Sequence, residues 1–108
     1  MVLNPIEVSI LQNEVMEALR TIFDPEIPVN ILDMGLIYDV YVETDGFVNI
    51  KMTLTAPNCP AAQSLPAEVD QKTRELDGVS DVKVDIVWEP PYSMDMMSEA
   101  AKLELGFF

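Results

Sequence analysis

Two apolar alternations meet at a single Asp-Gly step. Leu36, Tyr38, Val40 and Val42 occupy every second position, with Asp39, Tyr41 and Glu43 filling most of the gaps; beyond Asp45-Gly46, Val48, Ile50, Met52 and Leu54 repeat the pattern against Asn49, Lys51, Thr53 and Thr55. A period of two sends successive side chains to opposite faces, so each run reads as a strand buried on one side only. Gly46 supplies the positive φ of a tight turn, and the two strands form a hairpin.

The flanking segments change period. Leu11, Val15, Leu19 and Ile22 recur at helical spacing up to the stop at Asp24-Pro25, and Ser9 with Gln12 supplies a capping-box pair. An earlier start at Asn4-Pro5, with Glu7 as the third residue, fits the same helix. After Pro60, the residues Ala62, Leu65, Val69 and Leu76 form the stripe of a second helix that Gly78 ends. Pro66 removes a hydrogen bond inside it, which predicts a kink or a late start near Ser64. Val82, Val84, Ile86 and Trp88 share one face of a third strand, and Met94 to Leu105 reads as a short helix closed by Gly106.

The order is α-β-β-α-β-α. Because every strand is apolar on one side only, both longer helices must cover the same face. The expected fold is α/β (α+β), a two-layer sandwich whose three-stranded mixed sheet carries its helices on one face, built as a single domain over residues 1–108. The connection through the second helix makes strands two and three parallel.

Charge narrows the partners. Six Lys and Arg stand against 19 Asp and Glu, a net charge of −13. Phosphate contacts need lysine and arginine, so no nucleic acid and no anionic membrane surface is expected as a partner, whereas a basic protein surface is. No apolar run approaches the ~20 residues of a spanning helix, and MVLNPIEVSIL lacks the charged start of a signal peptide. The expected location is the cytoplasm. A single cysteine, which can form no internal disulfide, agrees with a reducing compartment.

Two segments hold the chemistry. DPEIPVNILDMG, residues 24–35, is the longest stretch without regular structure, and a loop of that length in a small domain is functional or disordered. Pro25 and Pro28 stiffen it, Ile27, Val29, Ile31 and Leu32 can anchor it, and Asp24, Glu26, Asn30 and Asp33 supply oxygens. The plainest role for Asp24 and Asn30 is to satisfy backbone groups, as Asx residues do. The other segment is TAPNCPAAQ, with Cys59 before Pro60. Proline in the first helical turn puts the preceding residue near the N-cap, where free N–H groups and the helix dipole favour a thiolate. A small buried hydrophobe is the alternative. There is no histidine, which excludes a Cys-His nucleophilic pair. A metal cluster needs up to four thiolate or imidazole ligands, so one thiol could hold a cluster only if it were shared between chains or completed by other ligands.

The runs DPEIPVNILDMGLIYDV, TLTAPNCPAAQSLPAEV, GVSDVKVDIVWEPPY and MSEAAKLELG, in this order from about Glu14 to Gly106, resemble the SufT-type family of iron-sulfur assembly proteins, which includes PaaD-like accessory proteins. The resemblance implies a maturation factor that brings a labile iron-sulfur cluster to client apoproteins. Cys59 would be its functional thiol and a transient metal ligand shared between chains. Asp24, Pro25, Glu26, Asn30, Asp33, Gly35 and Thr55 would surround it. The implied partners are an iron-sulfur scaffold or carrier and the client apoproteins, with a homodimer as one source of a second thiol. Four positions depart from the familiar pattern: Asn58 for glycine, Glu89 for aspartate, Tyr92 for a second tryptophan and Met96 for arginine. Met94, Met96 and Met97 read as packing residues or an adaptable contact surface. Against the assembly factor stands a non-catalytic adaptor subunit of an aromatic ring-hydroxylating system of the phenylacetate type, in which the cysteine is inert. A stand-alone enzyme is least supported, because no general base lies beside the thiol.

Overall fold

The first helix opens at Asn4. In the computed structural model, which describes residues 2–23, 29–54 and 61–104, helix α1 spans Pro5–Leu19. Asn4 Oδ1 accepts the Glu7 N–H at 2.8 Å, and the Glu7 carboxylate accepts the Asn4 N–H at 3.2 Å. This reciprocal pair, with Pro5 already set at a helical φ, overrides the Ser9-Gln12 signal, and Ser9 lies exposed within the helix. Leu11, Val15 and Leu19 face the core.

Strand β1 (Ile37–Val42) pairs antiparallel with β2 (Phe47–Met52), and β2 pairs parallel with β3 (Asp81–Ile86), in the spatial order β1-β2-β3. The fold is therefore the expected α+β one, a three-stranded mixed sheet with helices. Gly46 turns the hairpin at φ +89. One face of the sheet is apolar: Val40 and Val42 of β1, Val48, Ile50 and Met52 of β2, and Val82 of β3 are all buried. Helix α1 packs on β1, helix α2 (Ala61–Arg74) packs on β3, and the two helices touch.

Several expectations need correction. Tyr38 does not share the core face. A bulge between Ile37 and Asp39 puts Ile37 opposite Met52 and leaves Tyr38 as the extra residue, so Ile37 packs on the core and Tyr38 turns away from it. Trp88 lies beyond the end of β3 and is 46% exposed. Helix α2 starts at Ala61 and runs through Pro66, so the late start near Ser64 does not occur; buried Leu65 and Val69 on either side of the proline supply the packing that offsets its lost bond. The last predicted helix is two pieces, a 3-10 turn at Met94–Met96 and helix α3 at Glu99–Glu104. Ser98 divides them, its Oγ accepting the Ala101 N–H at 3.1 Å as an N-cap does. Met97 and Ala101 are buried. Leu105 and Gly106 lie outside the described residues. No helix among the described residues is long and apolar enough to cross a membrane.

Candidate functional site

Ahead of β1, residues 30–35 make a short turn, capped at both ends. Asn30 opens it: Oδ1 accepts the Asp33 N–H at 2.8 Å, and Nδ2 donates to Asp33 Oδ2 at 2.9 Å. Gly35 closes it at φ +81. The Leu36 N–H reaches back to the Ile31 carbonyl at 3.1 Å and the Gly35 N–H to the Leu32 carbonyl at 3.1 Å, the paired bonds of a Schellman ending. Only glycine fits here, for two reasons. Its φ is left-handed, and a Cβ at this position would collide with the Met96 carbonyl oxygen. Asn30 thus has the backbone-satisfying role expected of an Asx residue, and buried Val29 and Ile31 anchor the loop.

Three other elements hold the turn. The Ser98 N–H donates to the Asp33 carbonyl at 2.8 Å. Tyr92 Oη donates to the Met34 carbonyl at 2.6 Å. Arg20, at the end of α1, places Nη1 3.5 Å from Asp33 Oδ1. Tyr38, released from the core by the bulge, donates to the Pro90 carbonyl at 2.8 Å and lies 3.4 Å from Met96 Sδ. The segment from Pro90 to Ser98 is thereby fastened to the Asn30–Gly35 turn by side chains and main chain together. Asp33, held through its carboxylate by Arg20 and Asn30 and through its main-chain carbonyl by Ser98, is a strut of the turn.

Main-chain bonds carry this turn across to Thr53, just past the end of β2. Phe23 and Asn30 form an isolated bridge, so the two flanks of residues 24–28 are paired. The Ile31 N–H donates to the Ile22 carbonyl at 2.9 Å, Leu36 N–H to Ile31, and Thr53 N–H to the Leu36 carbonyl at 2.8 Å. Thr53 and Leu54 are buried and lead directly into residues 55–60, after which α2 begins at Ala61. Of the residues expected at the site, Asn30, Asp33 and Gly35 stand together in this turn. Asp24, Pro25, Glu26, Thr55 and Cys59 lie outside the described residues, as do Ile27, Pro28, Asn58 and Pro60. Among the described residues there is no group of three or more His, Cys, Asp or Glu side chains placed to hold a metal ion.

Arg20 and Ser98 were missed by sequence reasoning. Neither carries a local signal, because each meets Asp33 only after the sheet brings distant segments together. Tyr92, noted as a departure from the usual tryptophan, uses the hydroxyl that tryptophan lacks.

The model of the iron-sulfur cluster assembly protein family matches residues 12–86. The chain is 54% identical over 96 residues to an Fe-S protein maturation auxiliary factor of Porphyromonas gingivalis, covering 89% of this chain and 91% of that protein. It is 39% identical over 85 residues to the Fe-S protein maturation auxiliary factor SufT of Staphylococcus aureus, covering 79% of this chain and 97% of the other. A crystal structure of a domain of unknown function, DUF59, from Bacillus anthracis superposes with a TM-score of 0.88 at 32% identity, over 97% of this chain and all of that one (100%). The Asn30–Gly35 turn and the strands it leads into fall inside the matched region, and the chain belongs to the iron-sulfur cluster assembly protein family, among its SufT-like members.

Proposed function

We propose that this chain, acting as one domain in the cytoplasm, is a non-catalytic accessory factor that helps deliver iron-sulfur clusters to client apoproteins, with Cys59 as a transient ligand or reactive thiol. The observation that carries the reading is the run of main-chain bonds from Ile22 through Ile31 and Leu36 to Thr53, which ties the flanks of residues 24–28 to the strand end that leads into residues 55–60. Every residue assigned to the site belongs to one of those segments or to the turn between them: Asp24, Pro25, Glu26, Asn30, Asp33, Gly35, Thr55 and Cys59. The names of the relatives support the same reading. The cluster is cargo, and one thiol per chain leaves most of its ligands to be supplied from outside. The remaining donors come from a scaffold or carrier, from the client, or from a second copy.

The test pairs two measurements on the native chain and Cys59→Ser. Anaerobic incubation with iron and sulfide is expected to give a cluster only in associated forms of the native chain, read by native mass spectrometry. In cells lacking the native gene, Cys59→Ser is expected to fold normally and fail to restore activity of an iron-sulfur client. A Cys59→Ser variant that restores the client fully removes the thiol from the function.

A further inference from the structure

The first half of helix α1 carries two isoleucines that lie outside the core. Ile6 is 72% exposed and Ile10, one turn later, 52% exposed, with Val2 before them at 77%. Apolar side chains left this exposed on a helix add little to folding, since much of their surface stays in water in the native state. Around Ile10 the surface sinks into two adjoining hollows. One, of about 530 Å³, lies between α1 and Leu76 after α2, bounded by Ile10, Glu14, Glu17 and Thr21. The other, of about 340 Å³, continues along the helix past Leu3 and Glu7 to Asp77 and Gly78. They share Ile10 and Glu14, so together they make one groove along α1.

Its rim is acidic. Glu7, Glu14, Glu17 and Asp77 line the groove, and no lysine or arginine does. Two cations stand at its far end only: Lys72 donates to Thr21 Oγ1 at 3.0 Å, and Arg20 lies 3.6 Å from Glu17 while also engaging Asp33. Among the described residues, Glu7, Glu14 and Asp77 have no ion-pair partner.

From this combination we infer that the α1 groove docks a cationic amphipathic helix of a partner protein, with aliphatic side chains at i and i+4 meeting Ile10 and Leu76 and flanking Lys or Arg meeting the four carboxylates. A second copy of the chain is the wrong occupant. It would bring the same carboxylates against themselves on a molecule of net charge −13. A helix suits the shape, because the groove follows the α1 axis with Ile10 at its middle and Leu3, Leu11 and Leu76 beside it. The inference stands apart from the thiol chemistry of Cys59 and does not require it.

The test uses the isotope-labelled native chain and a synthetic leucine-lysine peptide of about 18 residues, long enough to hold a helix when bound. The control is a peptide of the same composition in scrambled order, with the same charge and no apolar stripe. Amide shifts are expected on residues 3–21 and 76–78 and not on the outer sheet face around Tyr41. Ile10→Ser should weaken binding about tenfold with an unchanged thermal melt, and Glu14→Gln with Glu17→Gln about fivefold at low salt, a difference that shrinks as salt is added. Equal binding of the scrambled peptide, shifts spread over the whole acidic surface, or an unaffected Ile10→Ser variant each overturn the inference. So does self-association of the native chain that Ile10→Ser abolishes, which would make the occupant a second copy. None of these readouts involves cluster delivery, so their failure is separable from failure of the assembly-factor reading.

Discussion

The two ends of the sheet are closed in different ways. At the end where β2 and β3 begin, main chain closes on main chain. Gly46 and Gly78 both take positive φ, the Ser80 N–H donates to the Gly46 carbonyl at 2.9 Å, and a Cβ on Gly46 would strike the Gly78 carbonyl oxygen. Arg74 braces this end from outside, its Nη1 2.6 Å from Asp81 and its Nε 3.0 Å from Asp70. At the opposite end, where β1 begins and β2 and β3 finish, side chains hold the loops to backbone: Asn30 to Asp33, Tyr92 to Met34, Tyr38 to Pro90. Of the residues proposed for the site, the described ones, Asn30, Asp33 and Gly35, all stand at this second end. Gly35 at the second end is as constrained as Gly46 at the first, so the ends differ in what surrounds the glycine: chiefly main-chain bonds at the first, and at the second the side chains of Asn30, Tyr38 and Tyr92 as well.

Paired alanine substitutions test that difference most strongly. Gly35→Ala and Gly46→Ala each force a left-handed φ and a backbone collision, and each is expected to cost about 3 kcal/mol in a denaturant melt. Only Gly35→Ala should impair client maturation beyond what lost stability explains. Equal maturation by the two variants at matched folded population would erase the distinction between the ends. Asn30→Ala comes next. It removes the acceptor for the Asp33 N–H and the donor to its carboxylate, with an expected loss of about 1.5 kcal/mol. Asn30→Asp keeps the acceptor but sets a second carboxylate against Asp33, so its melt should fall between alanine and native.

Tyr92→Phe is a smaller change. It leaves the Met34 carbonyl without the hydroxyl and should cost about 1 kcal/mol, measured in the same way. The smallest effect lies at the glycine-sealed end. The Arg74 guanidinium, and then the Val82 N–H, hold the Asp81 carboxyl below the ordinary aspartate range. A lowered folded-state pKa stabilises above the unfolded value, and that stabilisation is lost as pH falls through the folded value. Asp81→Asn should therefore flatten the acid limb of the stability profile slightly and leave neutral pH almost unchanged, because the pair is exposed and screened. An unaltered acid limb would show that Arg74 contributes nothing there.

What could be read from residue order alone was local and periodic. The alternations about Asp45-Gly46 specified the hairpin, the one-sided strands placed both helices on one face, and the linking helix made β2 and β3 parallel, because burial of an apolar face has few solutions in a chain this short. Asn30 was legible as an Asx residue and Gly35 as part of a family motif. The contacts that make Asp33 a strut were not. Arg20 reaches one short turn from the end of α1, Tyr92 and Ser98 reach it from the segment after β3, and no spacing along the chain encodes such a meeting. The same limit explains Tyr38. Alternation assigned it to the core, but the bulge opposite Met52 turned it toward Pro90, a choice made by how the edge of the finished sheet meets the loop after β3. The start of α1 was a competition between two caps, decided by the reciprocal bond between Asn4 and Glu7. Periodicity registers which faces must be buried; long-range hydrogen bonds between irregular segments form only once those faces have met.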